Sequence, residues 1–286
     1  MSDDMNDRQY SDAKSRFVDG FNIIDCGGVK TVEMKLFEPE NGLKHGFSTR
    51  VGGISERPYD TMNLSLSREG EAGSVMKNYS ILCNACGLNF DDMVVVAYEH
   101  GDTVLRVDAN DRGRGFSKAS LPPCDAIITN ERGVTLITCH ADCSVYYLYD
   151  PVERVIGLAH AGWRGTLARI GANVVQKMAG EYGSKPRNIM AAVGPCICCK
   201  CFEVDQELAE RFISEFGCKS LSRQGREGKA FLDIEAAAAI QFLEAGVRPE
   251  NIGLAHACTY ERDDIFFSYR RDHGETGAMA AYLSLL

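Results

Sequence analysis

The run from Gly133 to Tyr149 limits the fold more than any other part of the chain. Val134, Leu136, Ile137, Val145, Tyr146, Tyr147 and Leu148 crowd it with apolar and β-branched side chains, and a second run, Arg154 to Ala159, follows Asp150-Pro151-Val152-Glu153. Such residues favour a pleated surface, and Pro at the second position suits a tight turn. The two runs therefore read as an antiparallel hairpin. A turn centred between Pro151 and Val152 would set Cys143 directly opposite His160. Opposed Cβ atoms lie about 4.5 to 5.5 Å apart on one face, so this thiol and imidazole would meet unless a bulge shifts the register.

Around this hairpin the spacing predicts strands over Gly20 to Phe37, joined at Gly27-Gly28, and a helix over Ser74 to Gly87. Asp91 to Val107 reads as strand broken at His100-Gly101-Asp102, and Asp108 to Ser120 as an exposed loop. Further helices are expected over Leu167 to Met178, Asp205 to Phe216 and Ile234 to Ala245, then a strand over Ile265 to Tyr269 and a closing helix from Thr276. Strands and helices mix without a regular βαβ alternation, which favours an α+β fold of mixed β-sheets flanked by helices. No G-x-G-x-x-G follows a strand, and there is no P-loop. Residues 1–16 read as a flexible tail and 17–286 as a single domain. One short echo, Gly157-Leu158-Ala159-His160-Ala161 against Gly253-Leu254-Ala255-His256-Ala257, is a single copy and excludes a solenoid.

The chain has 286 residues and a formal net charge of −9, with no block of Lys and Arg. Nucleic acid and anionic membrane surfaces, which need dense positive charge, are poor partners for it. No apolar run reaches the roughly 18 to 20 residues of a membrane span, and the acidic first residues do not resemble a signal peptide. A cytoplasmic location is expected, with no obligate protein partner indicated. In that setting the twelve cysteines read as thiols or ligands rather than disulfides, and small anionic ligands would be held by individual arginines.

A catalytic zinc takes three ligands from His, Cys and carboxylates and keeps one position open. His100, Cys143 and His160, each beside a small residue (Gly101, Ala141, Ala161), form such a set, although a lone histidine at a strand end is more often a satisfied structural residue. Cys196, Cys198, Cys199 and Cys201 present a second cluster that could hold a metal, respond to oxidation or simply pack. Pro195-Cys196-Ile197-Cys198-Cys199 matches half of a zinc deaminase signature, but the H-x-E half is absent. His256 is a reserve ligand.

Several segments together resemble a known family. These are His45-Gly46-Phe47-Ser48-Thr49-Arg50-Val51-Gly52-Gly53, Asn63-Leu64-Ser65, Asp125-Ala126, Ala141-Asp142-Cys143, His160-Ala161-Gly162-Trp163-Arg164-Gly165-Thr166, Gly194-Pro195-Cys196-Ile197, Phe267-Ser268-Tyr269-Arg270-Arg271-Asp272 and Thr276-Gly277. From about His45 onward the chain is similar to the YfiH-type laccase-domain, or polyphenol oxidase, family. The resemblance implies zinc on His100, Cys143 and His160, and phosphorolysis of purine nucleosides (adenosine, inosine, methylthioadenosine) with adenosine deamination alongside. It departs at Tyr98, where Gln is common, at Ser144-Val145 after the cysteine, and at Ala278 after Thr-Gly.

For that chemistry Arg50 and Arg164 are the expected phosphate or substrate contacts, because guanidinium forks match phosphate oxygens. Arg50, Cys143 and His160 are the expected catalytic set, and His45 and Asn63 are expected to line the pocket or fix loops. Trp163 would stack on a purine or pack the turn, and Asp142 would orient a histidine only if the strand bent. A true multicopper oxidase needs paired H-x-H histidines, and none of the six histidines is so spaced, though a His₂Cys set also accepts copper in vitro. The rival reading is a Cys/His hydrolase with Cys143 as nucleophile and His160 as base, in line with the similarity of the YfiH-type fold to the deamidase domain of cytotoxic necrotizing factor toxins. A non-enzymatic metal-binding protein would carry the same ligands.

Overall fold

A computed structural model describes residues 3–38, 40, 42–68 and 72–286. Two six-stranded mixed sheets form its centre. The first runs in the order β1 (Phe21–Cys26), β2 (Val29–Met34), β3 (Leu43–Ser48), β15 (Met279–Leu285), β7 (Thr135–His140) and β4 (Met93–Val95). The second runs β14 (Ile252–Leu254), β10 (Met190–Val193), β8 (Ser144–Asp150), β9 (Val155–Ala161), β6 (Ala126–Thr129) and β5 (Val104–Arg106). A small third sheet pairs β11 (Glu203–Asp205), β13 (Lys229–Leu232) and β12 (Ser222–Gln224).

The inner faces of the two large sheets meet through Phe47, Leu136, Ala281 and Leu283 on one side and Tyr147, Ile156, Leu158 and Ala192 on the other. Helix α2 (Ala72–Cys86) covers the outer face of the first sheet, with Val75, Tyr79 and Leu82 against Ile137, Ala280 and Tyr282. Helices α4 (Ile170–Tyr182) and α6 (Ile234–Glu244) cover the second, with Val174, Met178, Ile240 and Phe242 against Ile128, Tyr146 and Ala159. Strands β8, β9 and β15 are buried at every position. Burial on both faces is why these strands read as continuous apolar runs without alternation.

The helix–sheet–sheet–helix layering agrees with the α+β expectation, but five local expectations fail. The first is the flexible tail: α1 (Asp3–Lys14) occupies most of it. Tyr10 and Ala13 are buried, and Asn6 and Asp7 tie the helix to Phe216, Lys219 and Ser220. The second is the hairpin register. Val145, not Cys143, faces His160, because the Asp150 carboxylate accepts N–H bonds from Val152 and Glu153 and Arg154 adopts a positive φ, drawing the turn out to four residues. A two-residue shift leaves each side chain on its face, so Cys143 and His160 become diagonal neighbours. Third, the helix expected over Leu167 to Met178 is divided into α3 (Trp163–Leu167) and α4 by Arg169, whose φ is 63°. Fourth, Ile265 to Tyr269 is no strand: it is irregular chain between turns at Ile265 and Tyr269.

The fifth is the closing helix, which is strand β15. Its Ala-Met-Ala-Ala composition suits a helix, yet it pairs with β3 on one edge and β7 on the other, and those ladders override local propensity. The helices α2, α5 (Gln206–Phe216) and α6 lie where the spacing predicts.

Candidate functional site

Three segments converge at one end of the second sheet. β9 delivers His160, the turn between β7 and β8 delivers Cys143, and the loop between β4 and β5 delivers His100. Their ligand atoms lie within 4.8 Å of one another. Two residues at this point have left-handed backbone, His100 at φ 64° and Asp142 at φ 86°, a conformation that costs a non-glycine residue about 1 to 3 kcal/mol. Buried carboxylates offset the strain. Asp125 accepts N–H bonds from Glu99 (3.3 Å), His100 (3.1 Å) and Gly101 (2.7 Å). Asp142 accepts from Thr259 Oγ1 (2.6 Å), Ser268 Oγ (3.0 Å) and Arg270 N (2.7 Å), so it anchors the turn and orients no histidine.

Asp125 has a second task. It accepts the Nδ1–H of His160 at 3.1 Å, which leaves the Nε2 lone pair for the cluster. Tyr98 stacks on the same imidazole with ring centroids 4.6 Å apart. Burial alone would push the Cys143 thiol up, but the facing His160 and hydrogen bonds from His100 and His160 bring it below the usual thiol range. Burial would likewise lower His160, and the Cys143 sulfur with the Asp125 carboxylate raises it. Behind them His140 donates Nδ1–H to Cys143 O (3.1 Å) and accepts from Thr138 Oγ1 (2.7 Å). Burial holds it neutral, as that pairing requires.

Two glycines make the approach possible. A Cβ on Gly162 would sit 3.2 Å from His100 Cδ2 and 3.3 Å from Cys143 Sγ. One on Gly165 would lie 2.6 Å from Gly101 O and push the His100 loop away.

The zinc that the family resemblance implies fits this donor set. Two imidazoles and a thiol biased to its anionic form leave one position open, and a carboxylate fixes the ring of one ligand through its other nitrogen, as metal-bound histidines usually require. Among the described residues only one other group has comparable ligands, around Cys198.

A cavity of about 420 Å³ opens on His100 and Cys143 and is walled by Arg68, Trp163, Arg164, Phe202, Tyr269 and Arg270. Of the residues expected to touch substrate, Arg164 and Trp163 lie on it, and Arg50, Asn63 and His45 do not. Arg50 is turned away, because its guanidinium donates to Asp60 O and Asp263 O, pairs with Asp60 and packs on Phe267. Asn63 is buried and its Oδ1 accepts from Ser65 N and Ala278 N, so it holds loops together. His256 pairs with Glu235 and Asp19 away from the trio. Arg68, Tyr98 and Asp125 were not singled out as site residues, although Asp125, Tyr269 and Arg270 stand in the family-like segments.

His45 is also absent from the cavity. It lies in the core between Phe37 and Tyr147, and its Nε2 accepts the Met34 N–H at 2.8 Å. Burial lowers its pKa from 6.5 to about 4. In that interval the unfolded chain binds a proton that the native one refuses, so stability is present above pH 6.5 and drains away as pH falls towards 4, by about 3 kcal/mol in all. His45→Gln should flatten that decline in denaturant unfolding curves measured at neutral and at mildly acidic pH. An identical decline in both proteins would show that His45 does not cause it.

Residues 44–286 match the family described as multi-copper polyphenol oxidoreductase laccase. A protein of Deinococcus radiodurans named purine nucleoside phosphorylase is 37% identical over 251 residues, spanning 87% of this chain and 92% of its own length. Purine nucleoside phosphorylase YlmD of Bacillus subtilis is 31% identical over 243 residues, spanning 84% and 87%. The crystal structure of YlmD from Geobacillus stearothermophilus has a TM-score of 0.85 at 30% identity, over 93% of this chain and 98% of that one. The YfiH protein of Bacillus licheniformis also gives 0.85, at 28% identity, over 93% and 99%. The matched span includes His100, Cys143, His160 and the arginines and aromatic residues that line the cavity, and the chain belongs to the multi-copper polyphenol oxidoreductase laccase family.

Proposed function

We propose that this chain is a purine nucleoside phosphorylase working in the cavity beside Cys143, with zinc held by His100, Cys143 and His160. The observation that carries the reading is the set of three arginines, Arg68, Arg164 and Arg270, that line the cavity of an acidic protein, none of them paired with a carboxylate among the described residues, although Arg68 and Arg270 each also donate to a backbone carbonyl, of Gly277 and Glu203. Guanidinium groups that line a cavity without a carboxylate partner among the described residues suit a polyanion such as phosphate. Trp163, Phe202 and Tyr269 supply the flat apolar surfaces that a purine needs. Arg164 stacks on Trp163 and Arg68 on Tyr269, so cation and ring are positioned as pairs.

In the reaction a phosphate oxygen bonds to ribose C1′ as the C1′–N9 bond breaks. The bond's electron pair goes to the purine, which gains the proton that hydrogen phosphate brings. The arginines hold the nucleophile and the aromatic wall orients the base. Asp125 and His140 keep Cys143 and His160 in place. A bound zinc would supply positive charge next to the reacting groups. The assay is adenosine or inosine with and without phosphate, following free base, ribose 1-phosphate and, for adenosine, ammonia. Arg164→Ala should raise the KM for phosphate by about 10- to 100-fold, the worth of one charge-assisted contact, without altering the unfolding midpoint. Product formation indifferent to phosphate would reject this reading.

One observation favours a second reading. Asp125, His160 and Cys143 stand in the order of an orienting carboxylate, a base and a nucleophile. A Cys/His hydrolase would ignore phosphate, survive chelation and die on alkylation of Cys143.

A further inference from the structure

The cysteines that flank the cavity wall play no part in the chemistry above. Cys198 and Cys201 share one tight turn, in which Cys201 N and Phe202 N both donate to Cys198 O at 2.9 Å. Cys258 reaches them from the segment after β14, held alongside by the bridge between Cys196 and Cys258 and by the bonds Cys196 N to Ala257 O and Thr259 N to Cys196 O, each 3.1 Å. The three sulfurs and a carboxylate oxygen of Glu261 all lie within 4.8 Å of one another.

The Cys198–Cys201 spacing is that of two ligands in a tetrahedral site. Cys198 Sγ and Cys201 Sγ are 3.7 Å apart, and zinc with Zn–S bonds near 2.3 Å sets its sulfur ligands about 3.8 Å apart. The Cys198 N–H also points at Cys258 Sγ, at 3.4 Å, which ties the turn to the segment after β14. We propose that Cys198, Cys201, Cys258 and Glu261 form a second metal site that binds a thiophilic divalent cation such as zinc.

With four protein ligands the site is closed, which is the pattern of a structural metal. Its position says what it stabilises. Ile197 and Phe202, on either side of the Cys198–Cys201 turn, line the cavity. Ile197 N donates to Asp142 O at 3.1 Å, and Thr259, next to Cys258, donates to the Asp142 carboxylate. The cation therefore clamps two segments that brace the Cys143 turn from outside.

The test uses full-length protein stripped of metal and refilled with zinc alone. The wild type should bind two zinc ions per chain, Cys143→Ala one, Cys258→Ala one, and the double variant none. Refilling the stripped Cys143→Ala protein should also shield three thiols from a disulfide reagent under native conditions, a count that stands even if Cys258→Ala fails to fold. With cobalt in place of zinc, Cys143→Ala should keep an intense thiolate charge-transfer band. A Cys143→Ala protein that binds no zinc and shields no thiol would refute the second site, as would a Cys198–Cys201 disulfide in freshly purified protein. The deciding readouts are taken on Cys143→Ala, without the first site, so they are independent of the phosphorylase reading.

Discussion

Cys143→Ala is expected to empty the His100, Cys143 and His160 site and to lower phosphate-dependent release of free purine by about a thousandfold or more, the scale on which loss of a central active-site group is felt. Cys143 is the one anionic ligand of the three, held below the usual thiol range by the histidines beside it, and two neutral imidazoles alone bind zinc far less tightly. The cost to folding should be small, about 1 kcal/mol for one missing sulfur. Kinetics, elemental analysis and denaturant curves on the same preparation check all three parts. Since a Cys/His hydrolase would also lose turnover, the zinc content and the phosphate requirement of the wild type carry the discrimination. Undiminished zinc at this site in Cys143→Ala would remove Cys143 from the ligand set.

Asp125→Asn should do more to the fold while touching no substrate. The two oxygens of Asp125 accept from Glu99 N, His100 N, Gly101 N and His160 Nδ1. Burial would raise this carboxyl, but His160 first, then the Gly101 and Glu99 N–H groups, hold it below its ordinary range. An asparagine presents N–H₂ to one side of that donor ring, leaving buried N–H groups unpaired and the backbone of His100 without support. Removing one member of a buried charged network costs about 3 to 5 kcal/mol. Loss of the carboxylate behind a metal-bound histidine weakens metal affinity by about 10- to 100-fold. Chelator competition measures the second effect and urea unfolding of the metal-free protein the first. If zinc affinity stays at the wild-type value, Asp125 serves the loop alone.

The meeting of Cys143 with His160 was legible in the sequence because it rests on local facts, a hairpin whose parity survives a two-residue change in register and motif segments around both residues, whereas His100 was reached through the family resemblance. The helices α2, α5 and α6 were legible through their apolar spacing and glycine stops. β15 was not, because its alanines acquire strand geometry only from β3 and β7, neither of which is near it in sequence. Apart from Trp163 and Arg164, the cavity wall was hidden for the same reason. Arg68, Arg164, Phe202 and Arg270 come from four separate segments, and no local pattern distinguishes them from Arg50, which pairs with Asp60 instead.

The pairing of β3 with β15 joins Phe47 to Ala281, and that distance along the chain governs how the protein reaches its shape. Contacts so remote must close a very long loop before they yield any return, which slows folding. The β8–β9 hairpin needs only a four-residue turn and can assemble within microseconds. Cys143 and His160 are thus neighbours early, while the edges of β3 and β7 wait open for their shared partner and are exposed to pairing with other chains. Refolding yield should accordingly fall with protein concentration, and the slow kinetic phase should follow closure of the first sheet.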